Sequence, residues 1–395
     1  MKILVRTPNW IGDAALSVAA LRELRRLHSQ DRVTLLSRSW VARLFEELQV
    51  ADEVMTIPDD SFVSSRGPRL QWSALIALAR RLKAERFDRA VLFQNAFEAA
   101  LLAFAAGIPE RIGYATDRRR LLLTATAHRR TRRASLLRSF AVRSALRSRL
   151  KTFPDSWWPA RTDRDHEVCY YLDLLYQTGL SPVDYLHDKS FCPSVRLVAA
   201  EEDRAKAEEM LSRHGVSGSD GLVIINPGSA YGVAKRWLPE RFAGVADRLM
   251  SEAGVKTIVF GWNRDIALAQ EIAGGMRSRP VLLTGSADLG RTLGLIAASR
   301  LMITSDSGPM HLAAGLGIPQ VALFGSTDPA TTGPLGPSSH LICKRLDCSP
   351  CHLRRCPIDL RCWSAISVEE VVQAARELLV NAPGMSRLPD SSASR

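Results

Sequence analysis

The densest grouping of chemistry-bearing residues lies between Ile303 and Leu316, ITSDSGPMHLAAGL. An apolar run, Leu301-Met302-Ile303, reads as a buried strand. Small polar residues follow, Thr304-Ser305-Asp306-Ser307-Gly308. A helix then opens with Pro309 in its first turn and Met310, Leu312, Ala313 and Leu316 as its apolar positions. A strand, a small-residue turn and a helix N-terminus together make an anion site, because unpaired N–H groups and the positive end of the helix dipole point at whatever sits there. Such a site would hold a diphosphate without a Gly-rich P-loop, and neither that loop nor a GxGxxG fingerprint occurs in the chain. On the turn alone, an ordinary Asp/Ser helix cap explains the same residues.

Two more polar, glycine-bearing loops follow strands in the same half, Asn226–Trp237 and Gly261–Asp265. Lys235 can neutralise a phosphate as a point charge, with a surface lysine as the plain alternative. Asp265, at the end of its strand, can accept from ribose hydroxyls or cap the next helix. Ser307 and Gly308 would offer N–H groups to a diphosphate. Three neighbouring loops at one edge favour a nucleotide over three separate coincidences. In the first half, Asp13 stands at the carboxyl end of a first strand, just before a helix expected over 14–27. It either caps that helix or faces a ligand.

These loops need a scaffold, and the apolar pattern supplies two. Short apolar strands alternate with periodic helices through residues 2–112 and again through 200–330, the signature of parallel sheets with helices on their faces. A chain of 395 residues fits two domains, expected at 1–185 and 195–380, with 381–395 a disordered tail. Residues 179–194 read as the linker. Residues 116–165 read as a partly helical, Arg-rich insertion, and a last helix over 367–380 is expected to cross back to the first domain. An apolar content of 46% without a run of 18 apolar residues fits a soluble protein with no membrane-spanning helix. The N-terminus reads as a strand rather than a signal peptide, which points to the cytoplasm.

The formal charge of +12 implies acidic partners: nucleic acid, anionic lipid or phosphorylated sugars. Arg118, Arg119 and Arg120 open the densest basic run, read either as an anionic-partner surface or as a solvated face. Cys348, Cys351, Cys356 and Cys362 give a CxxC-x4-C-x5-C spacing that fits structural zinc or an iron–sulfur cluster as well as unligated thiols. The segment lies outside the expected site in sequence. A basic nucleic-acid-binding protein with a metal knot is the rival reading, but it leaves Asp13 and the three loops without a purpose.

Three separated motifs carry a resemblance: Pro8-Asn9-Trp10-Ile11-Gly12-Asp13, Asn226-Pro227-Gly228 through Tyr231 to Lys235-Arg236-Trp237, and Thr304 to His311. In that order the chain resembles the ADP-heptose–lipopolysaccharide heptosyltransferases of glycosyltransferase family 9, from its first residue to about residue 379. The resemblance implies an α/β GT-B fold, two Rossmann-like domains facing each other across a cleft. It implies inverting transfer of heptose from ADP-heptose to the phosphorylated, heptosylated inner core on Kdo–lipid A, at the inner face of the inner membrane. Specific nucleic acid is not expected. A relative using another nucleotide-sugar or acceptor is the alternative. Carried over, Asp13 is the base that takes the acceptor hydroxyl proton, and Lys235, Tyr231 and Asp306-Ser307-Gly308 belong to the donor site. Asp265 falls at the adenosine ribose, and His311 is a diphosphate contact or core residue. The phosphate-facing amides and Lys235 meet the charge that grows on ADP, so no metal or other cofactor is required for catalysis. The basic run is assigned to the acceptor and the anionic membrane surface.

Overall fold

In a computed structural model the chain is described at residues 1–57, 72–130, 166–188, 193–217, 220–285, 287–336 and 338–381. The expected tail beyond Asn381, Cys192 and most of the Arg-rich stretch, 131–165, lie outside the described residues. Two compact units emerge, the first ending at Leu197 and the second beginning at Val198.

The first unit is built on a parallel sheet in the order β3-β2-β1-β4-β5-β6. Its strands are β1 (Lys2–Arg6), β2 (Arg32–Arg38), β3 (Glu53–Ile57), β4 (Arg89–Leu92), β5 (Glu110–Tyr114) and β6 (Ala125–Ala127). Ile3, Leu4, Val5, Val33 and Leu35 are wholly buried, as strands covered on both faces require. Helices α3 (Trp72–Glu85) and α4 (Phe97–Ala105) pack on one face, around Leu4, Leu36, Leu75, Leu82 and Leu102. Helices α1 (Ile11–Leu27), α2 (Ser39–Glu46) and α5 (Glu167–Gln177) complete the unit, with α5 lying along α1.

Three expectations change here. Helix α1 begins at Ile11, with extended Trp10 as its N-cap, so Asp13 lies inside the first turn and does not cap a helix opening at Ala14. Residues 125–127 are a sheet strand rather than part of an insertion: β6 pairs in parallel with β5, Ile112 opposite Ala125, and a 3-10 turn over Arg120–Leu122 leads into it. Part of the expected linker also belongs to this unit. Leu180, Tyr185 and Leu186 are buried, and the Tyr185 hydroxyl donates to Glu23 Oε1 of α1 at 2.7 Å.

The second unit repeats the plan, in the order β12-β11-β10-β7-β8-β9. Its strands are β7 (Leu222–Asn226), β8 (Lys256–Val259), β9 (Val281–Leu282), β10 (Leu301–Ser305), β11 (Gln320–Phe324) and β12 (Ser339–Cys343). Its helices are α6 (Glu201–Arg213), α7 (Pro239–Ala253), α8 (Ile266–Gly275), α9 (Leu289–Ala298), α10 (Gly308–Leu316) and α11 (Val368–Asn381). Helices α6 and α9 approach closely because Gly290 and Gly294, one turn apart on α9, leave room for Asp203. Helix α11 packs on α7, β10 and β11, within a core that includes Trp237 and Trp363. The last helix, expected to cross back to the first domain, belongs to the second unit's core through Val371, Val372, Ala375 and Leu379.

Candidate active site

Numbered from its own first strand, each sheet has the order 3-2-1-4-5-6, the doubly wound arrangement that opens a crevice where the winding reverses. The reversals fall between β1 and β4 and between β7 and β10. Asp13 follows β1. The Asn226–Trp237 loop follows β7, and Asp306-Ser307-Gly308 follows β10. The candidate residues of both halves thus stand at the carboxyl ends of the strands flanking a switch point.

At the β7/β10 edge, side chains from three loops interlock. Lys235 Nζ lies 2.6 Å from Asp306 Oδ2, which also accepts from Thr327 Oγ1 at 2.6 Å and from Thr332 Oγ1 at 3.3 Å. Asp306 is buried, so its carboxylate fixes Lys235 and is not itself a phosphate contact. Ser307 is the extended N-cap of α10, yet its side chain does not cap the helix. Its hydroxyl is turned to Asn226 Oδ1 at 3.2 Å, with Thr304 Oγ1 also 3.2 Å away. No side chain of the cap therefore covers the first-turn amides of α10, whose dipole favours an anion there. His311 is buried on the same helix. Tyr231 stands half in solvent with Lys235 Nζ 5.0 Å and the Arg354 guanidinium 5.3 Å from its ring centroid.

Asp265 is enclosed by its neighbours. It is 1% exposed, with Oδ1 3.2 Å from Arg236 Nη2 and Oδ2 accepting from the Trp262 amide at 3.1 Å. A Cβ on Gly228 would sit 2.5 Å from Oδ2, and one on Gly261 would sit 2.9 Å from Asp265 Cβ. The carboxylate is packed beneath two glycine turns, where it orients Arg236.

The Cys-rich segment is distant in sequence but adjoins this site. The Tyr231 hydroxyl donates to His352 O at 2.8 Å, and the Ala234 amide to Arg354 O at 3.1 Å. Trp363 Nε1 donates to Ala234 O at 2.8 Å, and Trp237 Nε1 to Trp363 O at 3.2 Å. Gly232 and Gly325 are glycine because a Cβ would strike the Arg354 backbone and the Trp363 ring respectively. Residues 349–363 thus form the back wall of the Lys235 loop. Burial, helped by neighbouring cysteines, pushes the Cys348 thiol up to about 11 and the Cys362 thiol up to about 12. Among the described residues no three His, Cys, Asp or Glu side chains are grouped to hold a metal ion.

At the β1/β4 edge two buried arginines hold the loops. Arg6 donates to Thr7 O at 2.7 Å, Leu36 O at 3.3 Å and Asn9 Oδ1 at 2.6 Å. Burial, then the nearby Arg38, brings its pKa down to about 9. Arg119 donates to Tyr114 O at 2.9 Å, to Asn95 Oδ1 at 2.9 Å and to Gln94 O. It is 0% exposed, so the expected anionic-partner surface keeps only Arg118 and Arg120 from that triplet. The 3-10 turn Arg120–Leu122 rotates the middle arginine inward, and Gly113 leaves space for its guanidinium. Asp13 is half-buried, close enough to buried Tyr171 of α5 for its charge to help push that phenol up, after burial itself. Arg6 and Asn95 escaped the sequence reading, which took Asn9 only as part of a motif and Arg119 as a surface residue. Only the excess of Arg and Asn at strand ends hints at them.

An uncapped helix N-terminus beside a clamped lysine, at a doubly wound switch point, makes a place where a phosphate-bearing ligand can be held. The family model of glycosyltransferase family 9 (heptosyltransferase) matches residues 75–147 and 138–361, and the chain belongs to that family of enzymes. It is 27% identical over 347 residues to lipopolysaccharide heptosyltransferase 2 of Escherichia coli K12, covering 87% of this chain and 88% of that one. The fold is similar to that of a glycosyl transferase family 9 protein from Veillonella parvula, with TM-score 0.74, 25% identity and coverage of 96% and 97%. It is also similar to E. coli ADP-heptose LPS heptosyltransferase II, with TM-score 0.72, 24% identity and coverage of 96% and 99%.

Proposed function

We propose that this glycosyltransferase moves a heptose from ADP-heptose to the heptosylated inner core of lipopolysaccharide, with inversion at the anomeric carbon. The observation that carries the donor half is the uncapped N-terminus of α10 beside Lys235, held by Asp306. The first-turn amides of α10 take the diphosphate, Lys235 offsets the charge that builds on the departing ADP, and Tyr231 and Arg354 border the same pocket edge. Asp13 takes the proton from the acceptor hydroxyl as that oxygen bonds to the anomeric carbon and the bond to ADP breaks. No step calls on a metal or other cofactor. The acceptor is anchored in lipid, so the enzyme works peripherally on the cytoplasmic face of the inner membrane. Among the described residues no helix is long and apolar enough to cross a membrane.

The test is ADP release from ADP-heptose with a heptosylated Kdo–lipid A acceptor, for the native chain and Asp13→Ala. Acceptor-dependent turnover that collapses in the variant while ADP still binds supports both halves. Surviving turnover removes Asp13 from its role. Failure to bind ADP-heptose, with another nucleotide-sugar bound instead, overturns the donor.

A further inference from the structure

Helix α4 has the sequence FEAALLAFA, with Glu98 its only charged residue. A helix apolar on all sides belongs inside a protein. Ala99, Ala100, Leu102 and Ala103 do face the core, but the opposite stripe is open: Phe97 is 44% exposed and Phe104 52%. Helix α3 packs beside it and continues the open face with Trp72 at 60% and Ile76 at 46%. On the other flank Leu121, in the 3-10 turn against α4, is 93% exposed. Large apolar residues left exposed on three neighbouring elements mark an interaction face.

The charges beside it choose the occupant. The Arg111 guanidinium lies 5.4 Å from the Phe104 ring centroid, while its Nε donates to Leu122 O at 2.7 Å. Exposed Arg118 and Arg120 extend that flank, and exposed Arg80 and Lys83 continue α3 beyond Ile76. Apolar residues with aromatics, rimmed by cations, fit the interface of an anionic bilayer. A second copy seated by two-fold symmetry would bring two basic rims together, which like-charge repulsion opposes. The face also has a fitting position. Trp72 and Phe97 open α3 and α4, so the patch descends from the sheet edge at which Asp13 lies.

We propose that the outer face of α3 and α4 docks this enzyme on a membrane surface containing anionic lipid. The proposal rests on the lipid-anchored acceptor read above, and its test separates the two. Cosedimentation is measured with phosphatidylcholine vesicles, with and without phosphatidylglycerol, for the native chain and for Ile76→Ser/Phe104→Ser/Leu121→Ser. The native chain should partition onto the anionic vesicles, and the triple variant about tenfold or more weakly. The variant should still bind ADP and turn over a soluble, deacylated acceptor at the native rate, which shows that it is folded. Equal partitioning of native and variant, or no partitioning by the native chain, overturns the proposal. So does a native dimer that the variant abolishes, since the face would then be covered by a second copy. Vesicle binding lost in the variant, with no heptose transfer by either protein, supports the docking face and sinks only the reaction.

Discussion

At the β7/β10 edge, two prominent cations have carboxylates beside them: Lys235 meets Asp306, and Arg236 meets Asp265. At the β1/β4 edge the cations are held differently. Arg6 and Arg119 spend their donors on carbonyl oxygens and on Asn9 and Asn95, and among the described residues neither forms an ion pair with a carboxylate. The same strand order therefore carries two electrostatic designs. One is internally neutralised and shaped around an N-terminus that supplies N–H groups. The other uses charged guanidinium groups as scaffolding for the loops at the edge where Asp13 lies. A donor whose position must be fixed suits the first. An anionic acceptor that must be gathered from a surface suits the second.

The contrast can be broken most directly at Asp13. Asp13→Asn should lower turnover about 10²- to 10⁴-fold with ADP affinity unchanged, as loss of a general base requires. Calorimetry with ADP alongside steady-state ADP release separates the two quantities, and a parallel loss of ADP binding would end the division of labour. On the neutralised side, Lys235→Met should cost about 10²- to 10³-fold in kcat/KM. It should also lower the melting temperature, because the buried Asp306 carboxylate loses its cation. Adding Asp306→Asn should recover the melting temperature and not the activity. Recovery of both would make Lys235 merely structural.

Smaller effects sharpen the picture. Arg119→Ala removes buried charged donors from the Tyr114 and Gln94 carbonyls and from Asn95 Oδ1; the Thr116 amide and the Tyr170 hydroxyl still serve Tyr114 O and Asn95 Oδ1, and urea unfolding should report a loss of about 2–4 kcal/mol. A loss within experimental error would mean that the arginine is not scaffolding. In the back wall, the raised thiols are protonated at neutral pH, with thiolate at about one part in a thousand at pH 8 for a group near 11. Iodoacetamide should modify Cys348 and Cys362 slowly, with rates rising about tenfold per pH unit until pH 11 to 12. Rapid labelling of the native protein at pH 7, read by mass spectrometry, would contradict that burial.

Much of the fold was legible because buried parallel strands leave uninterrupted apolar runs: β1, β7, β10 and β11 all stand close to their expected positions. β6 and β12 were missed, since ATA and SHLIC carry too little apolar signal and owe their strand geometry to the neighbours they pair with. The motif loops were legible as loops, but the direction of each side chain was not. Asp265 turns inward because two glycines open space beneath it. Arg119 turns inward because a 3-10 turn reverses what a run of three arginines suggests. The back wall was illegible for a different reason. Its link to the Lys235 loop is made by contacts such as Trp363 to Ala234, 129 positions apart. Nothing in local spacing announces a pairing of that range.

The clamp on Lys235 has one further consequence, for ionic strength. A lysine already matched by Asp306 adds no net charge to the empty pocket, so it draws no cloud of mobile counter-ions that an incoming diphosphate would have to displace. Occupancy by the nucleotide then depends mainly on directional N–H groups, which salt screens little at contact distance. Anions that lack the right shape gain little from such a site. Raising salt from about 0.05 M to about 0.5 M should leave ADP affinity nearly level, while attachment to anionic vesicles falls steeply over the same range.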